Sequence, residues 1–374
     1  MFGPGAAREI APVTAGMGRR ALVLTGSHPA RHEQIISGLK QCGIETRIFA
    51  VAAEPDIALA EEGIRQARDF NSDVIVGLGG GSVIDMAKVV AAMLANDGAL
   101  MDYLEVIGGG RRITRAPAPF IAAPTTAGTG SEVTRNAVIA SPEHRIKVSM
   151  RDTLLLPRVA IVDPDLTHTN PPVLTASAGL DALTQLLEAF VCIRANPMTD
   201  GICREGLRRA ARSLRRAYEA GSDAAAREDM ALASMFSGLA LANAGLGVVH
   251  AFAGPIGGMF PAPHGAVCGR MLPFAVEANI RALESRQQNP RALERYDEAA
   301  RILCGSRDAR ASDAIARLRE LCAALKTPAL SAYGITIDDI PAIIDKARGS
   351  SSFKSNPAAL TDVEMTTMLQ QAVV

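Results

Sequence analysis

Two histidines, a carboxylate and an amide are the side chains of this sequence best placed to do chemistry. His250 and His264 lie in residues 245–265, a stretch with almost no charge and many glycines. Such a stretch is expected to make a poor surface loop and a poor regular core helix. Buried imidazoles there need partners, because an unpaired buried polar group costs about 1–3 kcal/mol. A metal ion is one partner that could serve both. Upstream, Asp181 and Gln185 stand at i and i+4, on one face of a helix. The same four residues also read as a buried hydrogen-bonded cluster.

A second group of residues suits an anion. The apolar run 73–79 leads into Gly79-Gly80-Gly81-Ser82, where backbone N–H groups can approach a pyrophosphate closely. The helix start that follows adds partial positive charge. The run is neither the GxGxxG fingerprint nor a P-loop, and a plain turn is the alternative. Residues 124–134 interleave Thr and Ser with Gly. These hydroxyls could line a ribose or nicotinamide, or belong to an ordinary strand-to-turn segment.

The elements that must position these groups follow from hydrophobic patterning. Short apolar runs at 19–26, 45–51, 73–79, 119–124 and 160–165 read as buried strands. Helical patterns at 29–41 and 57–70 separate the first three, which is the alternation of a parallel sheet with helices on both faces. Beyond a boundary near 166–173 the patterns are helical, at 173–195, 197–220, 224–243 and 291–303. The chain is therefore expected to form an α/β nucleotide-binding domain over 1–168 and an all-helical domain over 169–374.

Composition narrows the class. The 374 residues are 48% hydrophobic with a formal net charge of zero, ample for two cores and unsuited to a nucleic-acid groove or a membrane surface. Trp is absent and aromatics make up 4%, which argues against base-stacking platforms. The six cysteines include no CxxC pair, so reduced thiols in a cytoplasmic enzyme are expected. No leader peptide and no membrane-spanning apolar run is read at the sequence level.

Taken in order, Phe2-Gly3-Pro4-Gly5, Gly79-Gly80-Gly81-Ser82 with Asp85 and Lys88, residues 124–134, Asp163-Pro164-Asp165-Leu166, Gly179-Leu180-Asp181-Ala182-Leu183-Thr184 and Pro263-His264-Gly265 strongly resemble the iron-containing (group III) alcohol dehydrogenase family. The resemblance covers nearly the whole chain. It implies a dehydroquinate synthase-like fold, with a dinucleotide-binding α/β domain, an all-α domain, and NAD(P) and a divalent metal, iron or zinc, in the cleft between them. Members interconvert small alcohols with aldehydes or ketones and form homodimers or larger homo-oligomers. Met1 stands directly before the Phe-Gly-Pro-Gly turn, where the family carries a strand. The resemblance further implies cofactor contacts from Gly26, Ser27, Gly80, Gly81, Ser82, Asp85, Thr125, Thr126, Thr129, Ser131, Lys147 and Leu166. Asn136 falls where the family's pocket lies and joins His250 and His264 as a catalytic candidate.

Three departures from the family pattern carry information. The metal set matches at Asp181, His250 and His264, but Gln185 replaces a histidine, and a neutral amide is a weaker donor than imidazole. A further family histidine, linked to proton traffic, is Gly254 here, so proton release is expected to use water or ribose hydroxyls. NAD-preferring members place an Asp after the first strand, where it accepts from the ribose 2′-hydroxyl. Gly26 holds that place, with Ser27 and His28 following. Acceptance of NADP, even a preference for it, is expected; the alternative is a simple turn glycine with NAD still used. The function expected is that of an NAD(P)-dependent alcohol dehydrogenase or carbonyl reductase. Its rivals are a metal-independent reductase similar to maleylacetate reductase, a lyase of the dehydroquinate synthase type, and a non-catalytic nucleotide-binding protein.

Overall fold

The structure, a computed structural model, describes residues 1–52, 54–287 and 289–374. The chain divides into two compact units, one of residues 1–126 and 130–169, the other of residues 127–129 and 170–374. The short 127–129 segment thus belongs with the helices that follow it in sequence by more than forty residues.

The first unit is built on a five-stranded parallel sheet in the order β2-β1-β3-β4-β7. Its strands are β1 (Arg20–Thr25), β2 (Glu45–Ala50), β3 (Val74–Gly79), β4 (Phe120–Pro124) and the short β7 (Val159–Ala160). Helices α1 (Ile10–Ala15), α2 (Glu33–Gln41), α3 (Ile57–Asp69) and α4 (Gly81–Ala95) lie between them or before them in sequence. Side chains alternate across a strand, and both sheet faces are buried. Leu22, Leu24, Ile75, Phe120 and Ala122 enter one core, while Ala21, Val23, Val76, Leu78, Ile121 and Ala123 enter another. That is why these strands read as continuous apolar runs.

Two features of this unit differ from expectation. The antiparallel hairpin of β5 (Asn136–Ser141) and β6 (Ile146–Arg151) falls where no strand was expected. The strand expected at 160–165 is only β7, after which Val162 makes an isolated parallel bridge with Phe2. Asp163 ends it by turning its carboxylate to the N–H groups of Gly5 at 3.1 Å, Ala7 at 2.8 Å and Asp165 at 3.0 Å. The sequence motif Asp163-Pro164-Asp165 is therefore an anchor for the glycine turn at the start of the chain.

The second unit consists of helices α5 (Pro172–Val191), α6 (Pro197–Glu219), α7 (Ala224–Asn243), α8 (Val248–Met259), α9 (His264–Arg286), α10 (Pro290–Cys304), α11 (Ala311–Ala324), α12 (Ile340–Arg348), α13 (Ser351–Ser355) and α14 (Asp362–Val373). Helix α5 is buried nearly all round, the mark of a central helix. The glycine-rich stretch expected to make a poor core helix is in fact helix α8, with Pro255 inside it. Val248, Phe252 and Ile256 are fully buried, and their burial outweighs the low helix propensity of Gly and Pro. Among the described residues no single helix is long and apolar enough to cross a membrane.

Candidate active site

In the first unit, three neighbouring strands end level with one another. Thr25 of β1 pairs with Leu78 of β3, and Gly79 of β3 pairs with Pro124 of β4. The strand order reverses between β1 and β3, and in open α/β sheets ligands bind outside the carboxyl ends of the strands at such a switch point. Gly26 follows β1, Gly80 and Gly81 follow β3, and Thr125 and Thr126 follow β4. A side chain at Gly79 would meet Val83 at 2.4 Å, so only glycine allows the chain to turn this sharply into α4. The first turn of α4, with Gly81 and Ser82, has no side-chain cap. A Cβ at Gly26 would meet nothing within 4 Å, which leaves open space at the end of β1. Ser27 is exposed beside it, with its hydroxyl 2.8 Å from His28 Nδ1.

A buried lysine braces the region beneath these turns. Lys88, 1% exposed, donates to Ser131 Oγ at 3.0 Å, Thr134 Oγ1 at 2.8 Å and the Asn136 carbonyl at 2.7 Å, which uses all three of its donors. Asp85 lies 3.5 Å from it, takes the Ser131 hydroxyl and accepts from the Val138 N–H at 2.9 Å. Asp85 and Ser131 thus support the 131–138 segment from below. Burial lowers the Lys88 pKa against the pull of Asp85, and burial pushes Glu132 up to about 7 with Lys88 opposing. Lys147, on β6, is paired with Glu54. Leu166 sits in a short 3₁₀ turn and packs, half-buried, against the sheet.

In the second unit, α5 presents Asp181, Gln185 and Glu188 at i, i+4 and i+7, all of them buried. Glu188 receives the start of α8. One of its oxygens accepts from the Val249 N–H at 2.7 Å, and the other lies 2.7 Å from His250 Nδ1. A carboxylate there complements the positive end of α8, and it makes Nδ1 the protonated nitrogen of His250. The Nε2 atom therefore faces Asp181 Oδ1, at 3.2 Å. His264, the first residue of α9, brings its Nε2 to 3.7 Å from the same oxygen. Helix α9 comes this close to α5 because of two glycines one turn apart. A Cβ at Gly265 would lie 2.3 Å from the Ser177 carbonyl, and one at Gly269 would lie 2.5 Å from Leu180 Cδ1.

Cys268, one turn after His264 on the same face of α9, points its Sγ at His250 Nε2 and His264 Nε2, 3.7 Å from each. Donor atoms of Asp181, His250, His264 and Cys268 all lie within 4.8 Å of one another. The thiol was not among the residues expected here, since a search for CxxC pairs passes over a Cys four residues from a His. Glu188 was also missed, although its i+7 spacing from Asp181 was visible. The amide nitrogen of Gln185 donates to the Thr129 carbonyl at 2.9 Å and to Ser237 Oγ at 2.8 Å. Both Gln185 and Thr129 therefore have a structural bond in this unit.

Two buried carboxylates, Asp181 and Glu188, have only histidines as ion-pair partners among the described residues. Burial disfavours charge on both imidazoles, yet Cys268 and Asp181 outweigh it, and His250 is raised well above its ordinary value while His264 is raised less. Burial likewise opposes ionisation of Asp181, but the two histidines hold its pKa below the usual value. The pocket is electrostatically built for positive charge. Gly254, one turn beyond His250, has nothing within 4 Å of the place a Cβ would take.

Comparison with known proteins gives a consistent result. The iron-containing alcohol dehydrogenase family matches residues 1–164, and the C-terminal part of the Fe-containing alcohol dehydrogenase family matches residues 175–373. The chain is 34% identical to alcohol dehydrogenase 4 of Saccharomyces cerevisiae over 379 residues, covering 99% of this chain and 96% of that protein. It resembles the crystal structure of a halo-thermophilic archaeal alcohol dehydrogenase from a Red Sea brine pool with a TM-score of 0.91 at 29% identity, covering 100% of this chain and 96% of the other. Sulfoacetaldehyde reductase from Bifidobacterium kashiwanohense, solved in complex with NAD+, has a TM-score of 0.87 at 27% identity and the same coverage.

Proposed function

The chain belongs to the iron-containing alcohol dehydrogenase family and is an oxidoreductase acting on CH–OH groups; we propose that it exchanges hydride between NAD(P) and a small alcohol or carbonyl compound at a divalent metal centre. The observation that carries this reading is the convergence of Asp181, His250 and His264 in a pocket whose two buried carboxylates have only imidazoles as ion-pair partners among the described residues. That donor set fits a divalent cation, since it offers anionic oxygen and two imidazole nitrogens at mutual distances a small ion can bridge. A cation bound there would polarise the substrate oxygen and stabilise the negative charge that develops on it.

The chain's own residues do the rest. Glu188 holds the tautomer and orientation of His250, leaving Nε2 as the donor. Gly80, Gly81 and Ser82 offer backbone amides that carry no side-chain cap, and the positive end of α4, to a pyrophosphate. Open space at Gly26, with no carboxylate, accommodates a ribose bearing either a hydroxyl or a 2′-phosphate, so both NAD and NADP are taken as cofactors. Lys88 keeps the 131–138 segment in place from beneath. Gly254 provides no imidazole for proton transfer, so the proton leaves through water. By family likeness the assembly is a homodimer or a larger homo-oligomer.

The test is oxidation of a panel of short primary alcohols and diols with NAD+ and with NADP+, and reduction of the matching aldehydes. Substrate-dependent formation or loss of the reduced nicotinamide is expected with at least one pair. Nucleotide binding without turnover across the whole panel would refute the reading and favour a non-catalytic nucleotide-binding protein.

A further inference from the structure

We propose that Cys268 is a metal ligand of this chain, so that the centre is Asp181, His250, His264 and a Cys268 thiolate, a set suited to zinc, to which the substrate oxygen would add as a fifth ligand. The proposal rests on the metal-dependent reading above, and it changes what that centre is made of. In place of the imidazole found at the Gln185 position in the family pattern, this chain supplies sulfur from a different helix.

Distances carry the argument. Zinc bonds of about 2.05 Å to nitrogen, about 2.1 Å to oxygen and about 2.3 Å to sulfur give a tetrahedron with N–O edges near 3.4 Å and N–S edges near 3.6 Å. Here the two nitrogen-to-oxygen separations are 3.2 and 3.7 Å, and the two nitrogen-to-sulfur separations are both 3.7 Å. Four of the six edges therefore lie close to those such an ion requires, and no two of the donor atoms are more than 4.8 Å apart.

Surroundings and sequence agree with this. Cys268 is fully buried, yet it faces two imidazoles and a carboxylate rather than an apolar core alone. Its i+4 spacing from His264 puts both on one face of α9, and Gly265 and Gly269 bring that face against the helix bearing Asp181. Gln185, by contrast, has its amide nitrogen tied to the Thr129 carbonyl and Ser237, and what remains is a neutral oxygen. A thiolate is the stronger and softer donor, and softness favours zinc over ferrous iron.

The test is X-ray absorption at the zinc edge of full-length protein loaded with one equivalent of zinc, together with the optical spectrum of the cobalt(II)-loaded protein. One sulfur scatterer at about 2.3 Å beside nitrogen and oxygen at about 2.0–2.1 Å is expected, with a thiolate-to-cobalt charge-transfer band in the near ultraviolet. Cys268→Ser should lose the sulfur shell and the band, and should bind zinc at least about tenfold more weakly in competition with a chromophoric chelator. Cys42→Ser, at an exposed cysteine, should keep both signals. A shell fitted by nitrogen and oxygen alone in the unmutated protein, or a Cys268→Ser variant with unchanged spectrum and affinity, overturns the proposal and leaves the metal-dependent reading standing. A protein that binds no zinc, cobalt or iron in stoichiometric amount overturns both.

Discussion

Replacing Glu132 with Gln should remove a pH dependence from the stability of the first unit. The side chain is buried, 4% exposed, and burial raises its carboxyl from 4.5 to about 7, with Lys88 opposing. Its folded pKa lies above its unfolded one. The contribution to stability is therefore fully present below the unfolded value and is lost as pH rises through the folded value. Between pH 5 and pH 8, at 1.36 kcal/mol per unit, linkage makes that loss about 2–3 kcal/mol. Gln has nearly the same shape and does not ionise, so the variant should gain on the unmutated protein by that amount over this window. Urea denaturation of both proteins at steps of pH is the assay. The difference between the two curves isolates Glu132 together with its coupling to Lys88, because His250, His264 and the other titrating groups are common to both. Should the units unfold separately, the effect belongs to the transition of residues 1–126 and 130–169. A difference that stays flat between pH 5 and pH 8 would refute the argument. A difference of opposite slope would mean that pairing with Lys88 outweighs burial.

Three further changes probe the two sites. Gly26→Asp, at a position where the added side chain meets open space, should shift the ratio of kcat/KM from NADPH toward NADH by on the order of 1–3 kcal/mol, and a flat ratio would mean that this turn does not meet the ribose. Ser82→Asp puts negative charge in the first turn of α4 and should weaken nucleotide binding roughly tenfold or more by calorimetry; unchanged affinity in a folded variant would rule out the phosphate assignment. Glu188→Gln keeps an acceptor for the Val249 N–H but removes the carboxylate that holds His250. It should lower metal affinity by about 10–100-fold in chelator competition, and no change would make Glu188 merely a helix cap.

The parts of this architecture that could be read from sequence are those whose local pattern and burial agree. Strands β1, β3 and β4 are apolar runs because both of their faces are covered, and Gly79 is glycine because Val83 leaves no room for a side chain. The β5–β6 hairpin escaped notice because its alternation is shallow: Asn136, Val138 and Ala140 are only half-exposed between buried Ala137, Ile139 and Ser141. Helix α8 was misjudged because Gly254, Pro255, Gly257 and Gly258 argue locally against a helix that its apolar surroundings enforce. At the site, Asp181, His250 and His264 were expected from the family resemblance, and the structure brings their donor atoms together. Cys268 was not, because its meaning depends on α9 lying against α5, and that approach is set by Gly265 and Gly269 acting over a long separation in sequence.

Alcohol oxidation by this chain should depend on a cation held at Asp181, His250 and His264. Metal content per chain and alcohol oxidation should be measured on one preparation, as purified, after dialysis against a chelator, and after zinc or ferrous iron is restored. We expect activity to fall in step with the metal and to return with it. Protein stripped of detectable metal that keeps full activity, and does not respond to added zinc or iron, would contradict the account and make this chain a metal-independent reductase.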